Sequence, residues 1–334
     1  MKVTVLGSGQ WGTTLAQVLC DAGNDVLIWG RNRSVVDEIN SVHTNQKSLP
    51  ATGLPENLRA TFDIAQALEH SEMTVMAVPA QSLRENLQQW NDLFSKDVPI
   101  VSSLKGIEVS TQLRMTEVIR DVLSIDEEKL AIITGPNLAR EVVLRQPTGA
   151  VAASTSQELA DLTARTFSAP YFRVYTSTDV IGCELAGAAK NVIALAVGMS
   201  IGMGFGENTQ ALVITRGLNE VTRLGIARGA QPLTFVGLAG VGDLLATCGS
   251  PLSRNRSFGE ALGRSGSMEK ARAQAQSTVE GVATASAVVD LAHLVGIEAP
   301  IMEAVQDVVS NTITPHQAIV NLMKVHTGAE IDYI

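Results

Sequence analysis

The sequence predicts an α/β protein in which a doubly wound parallel sheet is followed by an all-helical domain. Residues 1–31 read as a short apolar run, a glycine turn, a helical segment and a second apolar run, and this alternation continues to about residue 175. Short, nearly uninterrupted apolar strands separated by helices are typical of a parallel sheet covered on both faces. From about residue 181 the strand pattern stops. Because a chain of 334 residues exceeds one ordinary core, we expect two domains, 1–182 and 183–334.

Gly7, Gly9 and Gly12 form the turn between the first strand and the first helix. The first glycine allows a tight turn, the second lets the backbone approach a pyrophosphate, and the third allows close packing of helix on strand. The N–H groups that begin the helix then face the phosphates. Because a second strand follows at the expected distance, we interpret the turn as part of a Rossmann-type dinucleotide-binding domain rather than as an ordinary glycine turn.

Arg31 stands after the second apolar run, at the place where an Asp or Glu commonly binds the ribose 2′-hydroxyl of NAD. A carboxylate there would repel a 2′-phosphate, whereas the guanidinium groups of Arg31 and Arg33 would attract one. The sequence therefore favours NADPH, or the use of both cofactors. The alternative is that both arginines are solvated residues at the start of a helix.

The remaining elements of the first domain continue the alternation. Helices are expected at 34–40, 62–69, 81–94 and 111–123, strands at 73–78, 98–103, 130–133, 149–153 and 171–175, and a loop over 41–60. Ligands of such sheets bind at the carboxyl ends of strands. The glycine turn, residues 104–106 and residues 135–137 all follow strands, and so we expect them on the ligand-binding side.

In the second domain glycines and prolines separate the predicted helices, which cover 183–199, 208–228, 232–236, 240–246, 255–264, 267–274, 281–295, 300–310 and 315–324. Lys190 lies in the middle of the first of them, and its neighbours three and four residues away are Gly187, Ala186, Ile193 and Ala194. None of these can form the usual ion pair on a helix surface. The lysine therefore either extends to solvent or has a function, such as polarising a substrate carbonyl. Asn191 beside it also needs a polar partner.

Five other segments are candidates for ligand contact, each with a plainer explanation. Lys105 follows a strand end but could be a surface lysine, and the turn at Gly135-Pro136-Asn137 could be only a turn. Ser253, Arg254, Asn255 and Arg256 could bind a phosphate at a helix N-terminus or merely cap the helix. Asp243 is expected to cap a helix or to pair with a lysine. Thr278 and Glu280 are more readily explained as a helix cap.

The composition excludes several classes of function. A net charge of −9 argues against general nucleic-acid binding. The three scattered cysteines and five histidines lack metal-ligand spacing, which fits a reducing cytoplasm and no metal site. The chain begins directly with a strand, so we expect no signal peptide. Residues 192–206, the longest uncharged apolar stretch, fall short of the ~18 residues that span a bilayer and are interpreted as a buried helix and the loop after it.

Six motifs occur in an order that resembles the bacterial NAD(P)-dependent glycerol-3-phosphate dehydrogenases. They are Gly-x-Gly-x-Trp-Gly with a later Trp-Gly-Arg, Leu-Lys105-Gly-Ile-Glu, Thr-Gly135-Pro-Asn, Lys190-Asn-Val-Ile-Ala, Gly-x-Gly-Asp243-Leu and Ser253-Arg-Asn-Arg. The resemblance covers the whole chain. It implies reversible reduction of dihydroxyacetone phosphate to sn-glycerol 3-phosphate, the precursor of the phospholipid backbone.

The resemblance also implies residue roles. Lys190 and Lys105 would be the catalytic lysines, Lys190 as proton donor in reduction and acceptor in oxidation. Substrate contacts would come from Lys105, Gly135, Asn137, Lys190, Asp243, Ser253, Arg254 and Asn255, and cofactor contacts from Gly7, Gly9, Gln10, Trp11, Gly12, Arg31, Lys105, Ala139, Arg254, Thr278 and Glu280. The family commonly has Ser at the position of Gln10, and Ser or Thr at that of Asn137.

Two other functions fit parts of this pattern. A related 6-phosphogluconate or 3-hydroxyacid dehydrogenase would also join a dinucleotide-binding domain to a helical domain with a Lys-Asn pair. A non-catalytic NADPH-sensing protein would give Lys190 and Lys105 no reason to exist. We expect a cytoplasmic enzyme with a small phosphorylated substrate, no membrane span and, on base rates for soluble oligomers, a homodimer.

Overall fold

The computed structural model describes residues 1–275 and 279–324. The chain divides into two compact units. The first consists of residues 1–105 and 115–180, and the second of residues 106–114 and those from 181 onward. The return of 106–114 to the second unit was not expected from the sequence, which places the boundary only at 182.

An eight-stranded sheet, in the order β3-β2-β1-β4-β5-β6-β7-β8, organises the first unit. Its strands are β1 Lys2–Leu6, β2 Asp25–Trp29, β3 Arg59–Thr61, β4 Met73–Met76, β5 Ile100–Ser102, β6 Leu130–Thr134, β7 Thr148–Ala153 and β8 Phe172–Ser177. Its α-helices are α1 Gln10–Asp21, α2 Arg33–Val42, α3 Ile64–His70, α4 Leu83–Trp90, α5 Met115–Leu123, α6 Ala139–Val142 and α7 Gln157–Phe167. The predicted α/β class is thus confirmed.

The sheet is parallel except where β7 runs antiparallel to β6, which corrects the fully parallel sheet expected from the sequence. The connection between these strands contains only one turn of helix, α6. A four-residue helix rises about 6 Å, far less than the length of a strand, so the chain does not return to the other edge of the sheet. It therefore enters β7 from the end at which β6 stops.

Two other local predictions are wrong at their boundaries. The expected loop over 41–60 runs into β3, a three-residue edge strand that pairs only with β2 and is too short to give a periodic pattern. The helix expected from residue 111 begins at Met115, because residues 106–114 pack with the second unit.

The second unit is helical, with a core of its own. Its α-helices are α8 Val180–Gly202, α9 Glu207–Ala227, α10 Asp243–Gly249, α11 Arg254–Ser265, α12 Met268–Gln274, α13 Glu280–Leu294, α14 Pro300–Val309 and α15 Pro315–Leu322. Helix α8 is long and apolar enough to cross a membrane by composition, but 89% of its most apolar window is buried inside the protein. It is the central helix of this core.

Candidate active site

The glycine turn after β1 allows close backbone approaches. Gly7 has φ +127°, a conformation that side chains disfavour, and a Cβ on it would lie 2.5 Å from the carbonyl oxygen of Ala77. A Cβ on Gly12 would lie 1.9 Å from the carbonyl oxygen of Gly7. Both positions therefore require glycine for the turn and α1 to pack as they do.

The start of α1 fits a dinucleotide phosphate. Gly9 is the N-cap, provides no side-chain cap, and has open space where a Cβ would be. The first N–H groups of a helix need an acceptor, which a phosphate provides. The buried indole Nε1 of Trp11 has no hydrogen-bond partner among the described residues, and Gln10 beside it is half-buried.

Asn45, a loop residue that the sequence analysis did not single out, forms hydrogen bonds with the glycine turn. Asn45 is fully buried, and its Nδ2 donates to the carbonyl oxygen of Ser8 at 3.0 Å and to Oγ1 of Thr13 at 2.9 Å. The carboxamide therefore ties the loop after α2 to the glycine turn. An asparagine in a polar loop gives no sequence signal of such a contact.

Arg31 is exposed just beyond the end of β2. The next residue, Asn32, is the N-cap of α2 and accepts a hydrogen bond from the N–H of Ser34. Arg33 holds its guanidinium 4.2 Å from the ring centre of Phe62, within cation–π range. Two guanidinium groups thus lie beside the end of β2, where a Rossmann-type sheet binds the adenosine ribose.

Lys105 and the turn after β6 meet at the same edge of the sheet. Lys105 follows β5, which neighbours β6, and its Nζ donates to the carbonyl oxygen of Gly135 at 2.9 Å. Gly135 has φ +133°, and Asn137 Nδ2 donates to the carbonyl oxygen of Gly149 at 2.9 Å. The Oδ1 atom of Asn137 is buried with no partner in the described part of the chain, which leaves it able to accept a bond from a ligand.

The second unit contains a buried cluster centred on Lys190. The side chain of Lys190 donates to Oδ1 of Asp243 and, at 2.8 Å, to Oγ1 of Thr247. Lys190 is 7% exposed and Asp243 1% exposed. Because buried charges need partners, the carboxylate balances the ammonium group. Of the two roles that the sequence leaves open for Asp243, the carboxylate pairs with the lysine and does not cap the helix, whose N-cap is Gly242.

Thr247 is a member of this cluster that sequence reasoning missed. Its hydroxyl donates to the carbonyl oxygen of Asp243 at 2.7 Å, so its lone pairs face the lysine. Residues 243 and 247 are four apart on α10 and share one face. A threonine four residues after Asp243 could have indicated a shared site, although threonines at that spacing from an acidic residue are common.

The N-terminus of α11 carries the residues for which the sequence predicts a phosphate site, and the structure shows how their side chains are bonded. Ser253 is the N-cap, and its hydroxyl accepts from the N–H of Arg256. The carboxamide of Asn255 donates to Oδ1 of Asn191 at 2.8 Å and accepts from the N–H of Gly281 at 3.0 Å. Asn255 can therefore offer an anion its backbone N–H, while its side chain joins α8, α11 and α13. The guanidinium of Arg254 is on the exposed first turn.

The other predicted cofactor residues are at helix starts. Ala139 begins α6 and Glu280 begins α13. Thr278 lies outside the described residues. In the described ranges no three His, Cys, Asp or Glu side chains form a group that could hold a metal ion.

Comparisons with known proteins agree with this chemistry. A family model described as NAD-dependent glycerol-3-phosphate dehydrogenase N-terminus matches residues 2–160, and the corresponding C-terminus model matches residues 179–320. A relative from Streptomyces coelicolor named glycerol-3-phosphate dehydrogenase NAD(P)+ is 49% identical over 323 residues, 97% of this chain and 96% of that protein. A relative from Corynebacterium jeikeium with the same name is 50% identical over 324 residues, which are 97% of this chain and 98% of that protein.

A solved structure is similar along the whole chain. The crystal structure of glycerol-3-phosphate dehydrogenase from Coxiella burnetii aligns with a TM-score of 0.91 and 34% sequence identity, covering 96% of this chain and 98% of the other.

Proposed function

This chain belongs to the NAD-dependent glycerol-3-phosphate dehydrogenase family, and from that premise we propose how its own residues interconvert sn-glycerol 3-phosphate and dihydroxyacetone phosphate with NAD or NADP. The observation that carries the proposal is the buried Lys190, which lies among small apolar residues of α8 and is bonded to Asp243 and Thr247 of α10. A buried ammonium group that is balanced by a carboxylate can hold a proton for a reacting oxygen.

The first unit would bind the cofactor. The N–H groups at the start of α1 would hold the pyrophosphate, with Gly9, Gln10 and Trp11 around it. Arg31, and the N-terminal turn of α6 with Ala139, would complete the site in this unit. When bound, the nicotinamide supplies hydride in reduction and accepts it in oxidation.

Lys190 would donate a proton to the carbonyl oxygen of dihydroxyacetone phosphate and take it back from the hydroxyl of sn-glycerol 3-phosphate. Negative charge grows on that oxygen during reduction, and a positioned ammonium group stabilises it. Asp243 and Thr247 orient Lys190 through the hydrogen bonds described above. Lys105, fixed by its bond to Gly135, would be the second cation for the substrate oxygens, and Asn137 would accept a bond from a substrate hydroxyl.

The N-terminus of α11 would hold the substrate phosphate. The N–H groups of a helix start and a guanidinium group are both favourable for a phosphate. Arg254 would provide the charge, and the backbone after Ser253 would provide the N–H groups. Binding energy from this remote group would orient the reacting carbon.

The product would supply the backbone of phospholipids in the cytoplasm. A homodimer is the assembly that we propose for the enzyme, because twofold dimers are the commonest soluble oligomers. Size-exclusion chromatography with light scattering tests this, and a monomeric mass would contradict it.

The test of function is the oxidation of NADPH and of NADH with dihydroxyacetone phosphate, using wild type and Arg31→Ala. We expect turnover with both cofactors and a selective rise in the KM for NADPH in Arg31→Ala. Arg165→Ala, at an exposed arginine of α7, is the matched control. Absence of turnover would contradict the proposed reaction, especially if 6-phosphogluconate or a 3-hydroxyacid is oxidised instead. An unchanged cofactor ratio would remove the role of Arg31.

A further inference from the structure

Residues 106–114 directly follow Lys105 and end at Arg114, which forms an ion pair with Glu184 on α8, the helix that carries Lys190. The segment leaves the first unit directly after Lys105, packs with the second unit, and rejoins the first at Met115. We propose that Arg114 and Glu184 are positioning residues for the reaction, and that their ion pair holds the backbone on the carboxyl side of Lys105. The proposal rests on the proposed function, because it assumes that Lys105 acts in turnover.

The segment is a folded hairpin. Ile107 forms an antiparallel bridge with Arg114, and the N–H of Glu108 donates to the carbonyl oxygen of Leu113 at 2.9 Å. Ile107 is fully buried in the apolar core of the helical unit. Ile107 and Arg114, paired at the open end of the hairpin, therefore provide an apolar anchor and a charged anchor to this unit.

The charged anchor is a short, buried ion pair. Nη1 of Arg114 lies 2.6 Å from Oε2 of Glu184, and the two side chains are 12% and 3% exposed. The surface pair between Arg120 and Glu127 has a similar distance of 2.8 Å, but each side chain is 51% exposed. Removing one partner of a buried ion pair is usually strongly destabilising, whereas surface pairs contribute little. The Arg114–Glu184 pair therefore constrains the hairpin far more strongly than the surface pair constrains α5.

This constraint bears directly on Lys105. Gly106, the first residue of the anchored segment, is its neighbour in the chain. The amine of Lys105 is held at the other end by the carbonyl oxygen of Gly135. The flexible stem of a lysine gives its amine a limited reach, so fixing the backbone next to Lys105 limits where that amine can lie. Glu184 lies on α8, the helix that carries Lys190.

A double-mutant cycle with Lys105 tests the proposal. The variants are Arg114→Met, Glu184→Gln, Lys105→Met and the double variant Arg114→Met with Lys105→Met, assayed by NADPH oxidation with dihydroxyacetone phosphate. We expect Arg114→Met and Glu184→Gln each to lower kcat about tenfold or more, the scale of a misplaced catalytic group, with the Kd for NADPH nearly unchanged. Because Arg114 acts through Lys105, the double variant should be no slower than Lys105→Met. Arg114→Lys should recover part of the rate.

Two measurements separate positioning from stability. Urea unfolding shows whether each variant is folded, and Arg120→Met, which breaks the surface pair, should keep wild-type kcat. If Arg114→Met does not fold, Glu184→Gln replaces it in the same cycle. A lower unfolding midpoint with unchanged kcat would overturn the proposal, as would losses that multiply in the double variant. Full turnover in Lys105→Met would overturn both the role of Lys105 and this proposal, whereas wild-type protein without turnover would contradict the proposed function itself.

Discussion

At the scale of single residues, the polar side chains of the candidate site form most of their hydrogen bonds with other residues of the protein. The ammonium group of Lys190 has three N–H donors, of which Asp243 and Thr247 accept two. The carboxamide of Asn255 is used within the protein, so that a nearby anion would meet its backbone. Such bonding restricts each side chain to one orientation, which is what a reacting group requires.

Lys190→Ala should lower kcat by about 10²-fold or more, the range attributed to one positioned general acid. The Kd for NADPH should stay within a few fold, because the glycine turn that we propose for its pyrophosphate belongs to the first unit. Stopped-flow turnover and NADPH fluorescence measure the two quantities. A variant that keeps near-normal kcat would exclude Lys190 as the proton donor.

Arg254→Ala should mainly raise the KM for dihydroxyacetone phosphate. A charge-assisted bond to phosphate contributes about 1.5–3 kcal/mol, which corresponds to about 10- to 100-fold in binding. The matched variant is Arg264→Ala, at a residue in the last turn of the same helix whose side chain is 70% exposed and pairs with Glu260. Steady-state kinetics decide the matter: equal KM values in Arg254→Ala and wild type would remove the phosphate assignment.

At the scale of elements, a buried carboxyl group joins α9 to the start of α14. Glu220 is 3% exposed and accepts from the N–H groups of Ile301 at 2.9 Å and Met302 at 3.2 Å. The N-cap of α14, Ala299, provides no side-chain cap, so Glu220 serves as the cap from another helix. Burial raises the pKa of Glu220 to about 7, against the opposing effect of these two bonds.

This raised pKa predicts a pH-dependent stability. Between the ordinary pKa of about 4.5 and about 7, the folded state binds the proton more tightly than the unfolded state. The stability that this group contributes is therefore full below about pH 4.5 and is lost as pH rises through 7, by at most about 1.4 kcal/mol per pH unit. Urea unfolding at pH 5–8 should show this slope in wild type and a smaller one in Glu220→Gln. Identical slopes would contradict the assignment.

Helices α8 and α11 cross through reciprocal glycines. A Cβ on Gly259 would lie 2.2 Å from the carbonyl oxygen of Leu195, and one on Gly198 would lie 2.0 Å from that of Arg256. Since these atoms are backbone, the helices would have to separate. The crossing therefore sets the distance between the helix of Lys190 and the proposed phosphate site.

Gly259→Ala should lower the free energy of unfolding by about 1–3 kcal/mol, the usual cost of overpacking. Gly249→Ala is the control, because an added Cβ there meets nothing within 4 Å. Urea unfolding followed by circular dichroism compares the two. If both variants unfold at the same urea concentration as wild type, the helix crossing tolerates a wider separation than the structure indicates.

At the scale of the whole molecule, each unit encloses its own apolar core and shields its thiols. Cys20 lies in the core of the first unit and Cys248 in that of the second, and burial raises the pKa of each to about 12. Cys183, on α8, is 1% exposed. The reactive species of a cysteine is the thiolate, which burial suppresses here.

Native protein at pH 8 should therefore react with Ellman's reagent only slowly, whereas all three thiols should react in urea. Peptide mapping of partially labelled protein would show which unit opens first, since Cys20 reports on one and Cys248 on the other. Rapid stoichiometric labelling of the native protein would show that these cores are more open than the structure indicates.

The prediction from sequence succeeded where the signal was local. The glycine turn, the run of parallel strands and the apolar helix around Lys190 are all readable from neighbouring residues. Thr247 and Asn45 gave too little signal, because a threonine on a helix and an asparagine in a loop are ordinary. The sequence analysis predicted a parallel sheet, and this was wrong for β7, which runs antiparallel to β6. The direction of a strand depends on how far the preceding connection reaches, and the apolar pattern of the strand does not encode that distance.

The α/β class, the helical second half, the glycine turn and the candidate lysines could all be predicted from the sequence. These follow from backbone sterics, periodic burial and the cost of a charge in an apolar helix, which are properties of short segments. The folded chain was needed to show that Asp243 pairs with Lys190, that Asn255 uses its side chain internally, and that residues 106–114 join the second unit, where Arg114 pairs with Glu184. Each of these depends on contacts between residues distant in the chain, and the packing of whole helices selects such contacts.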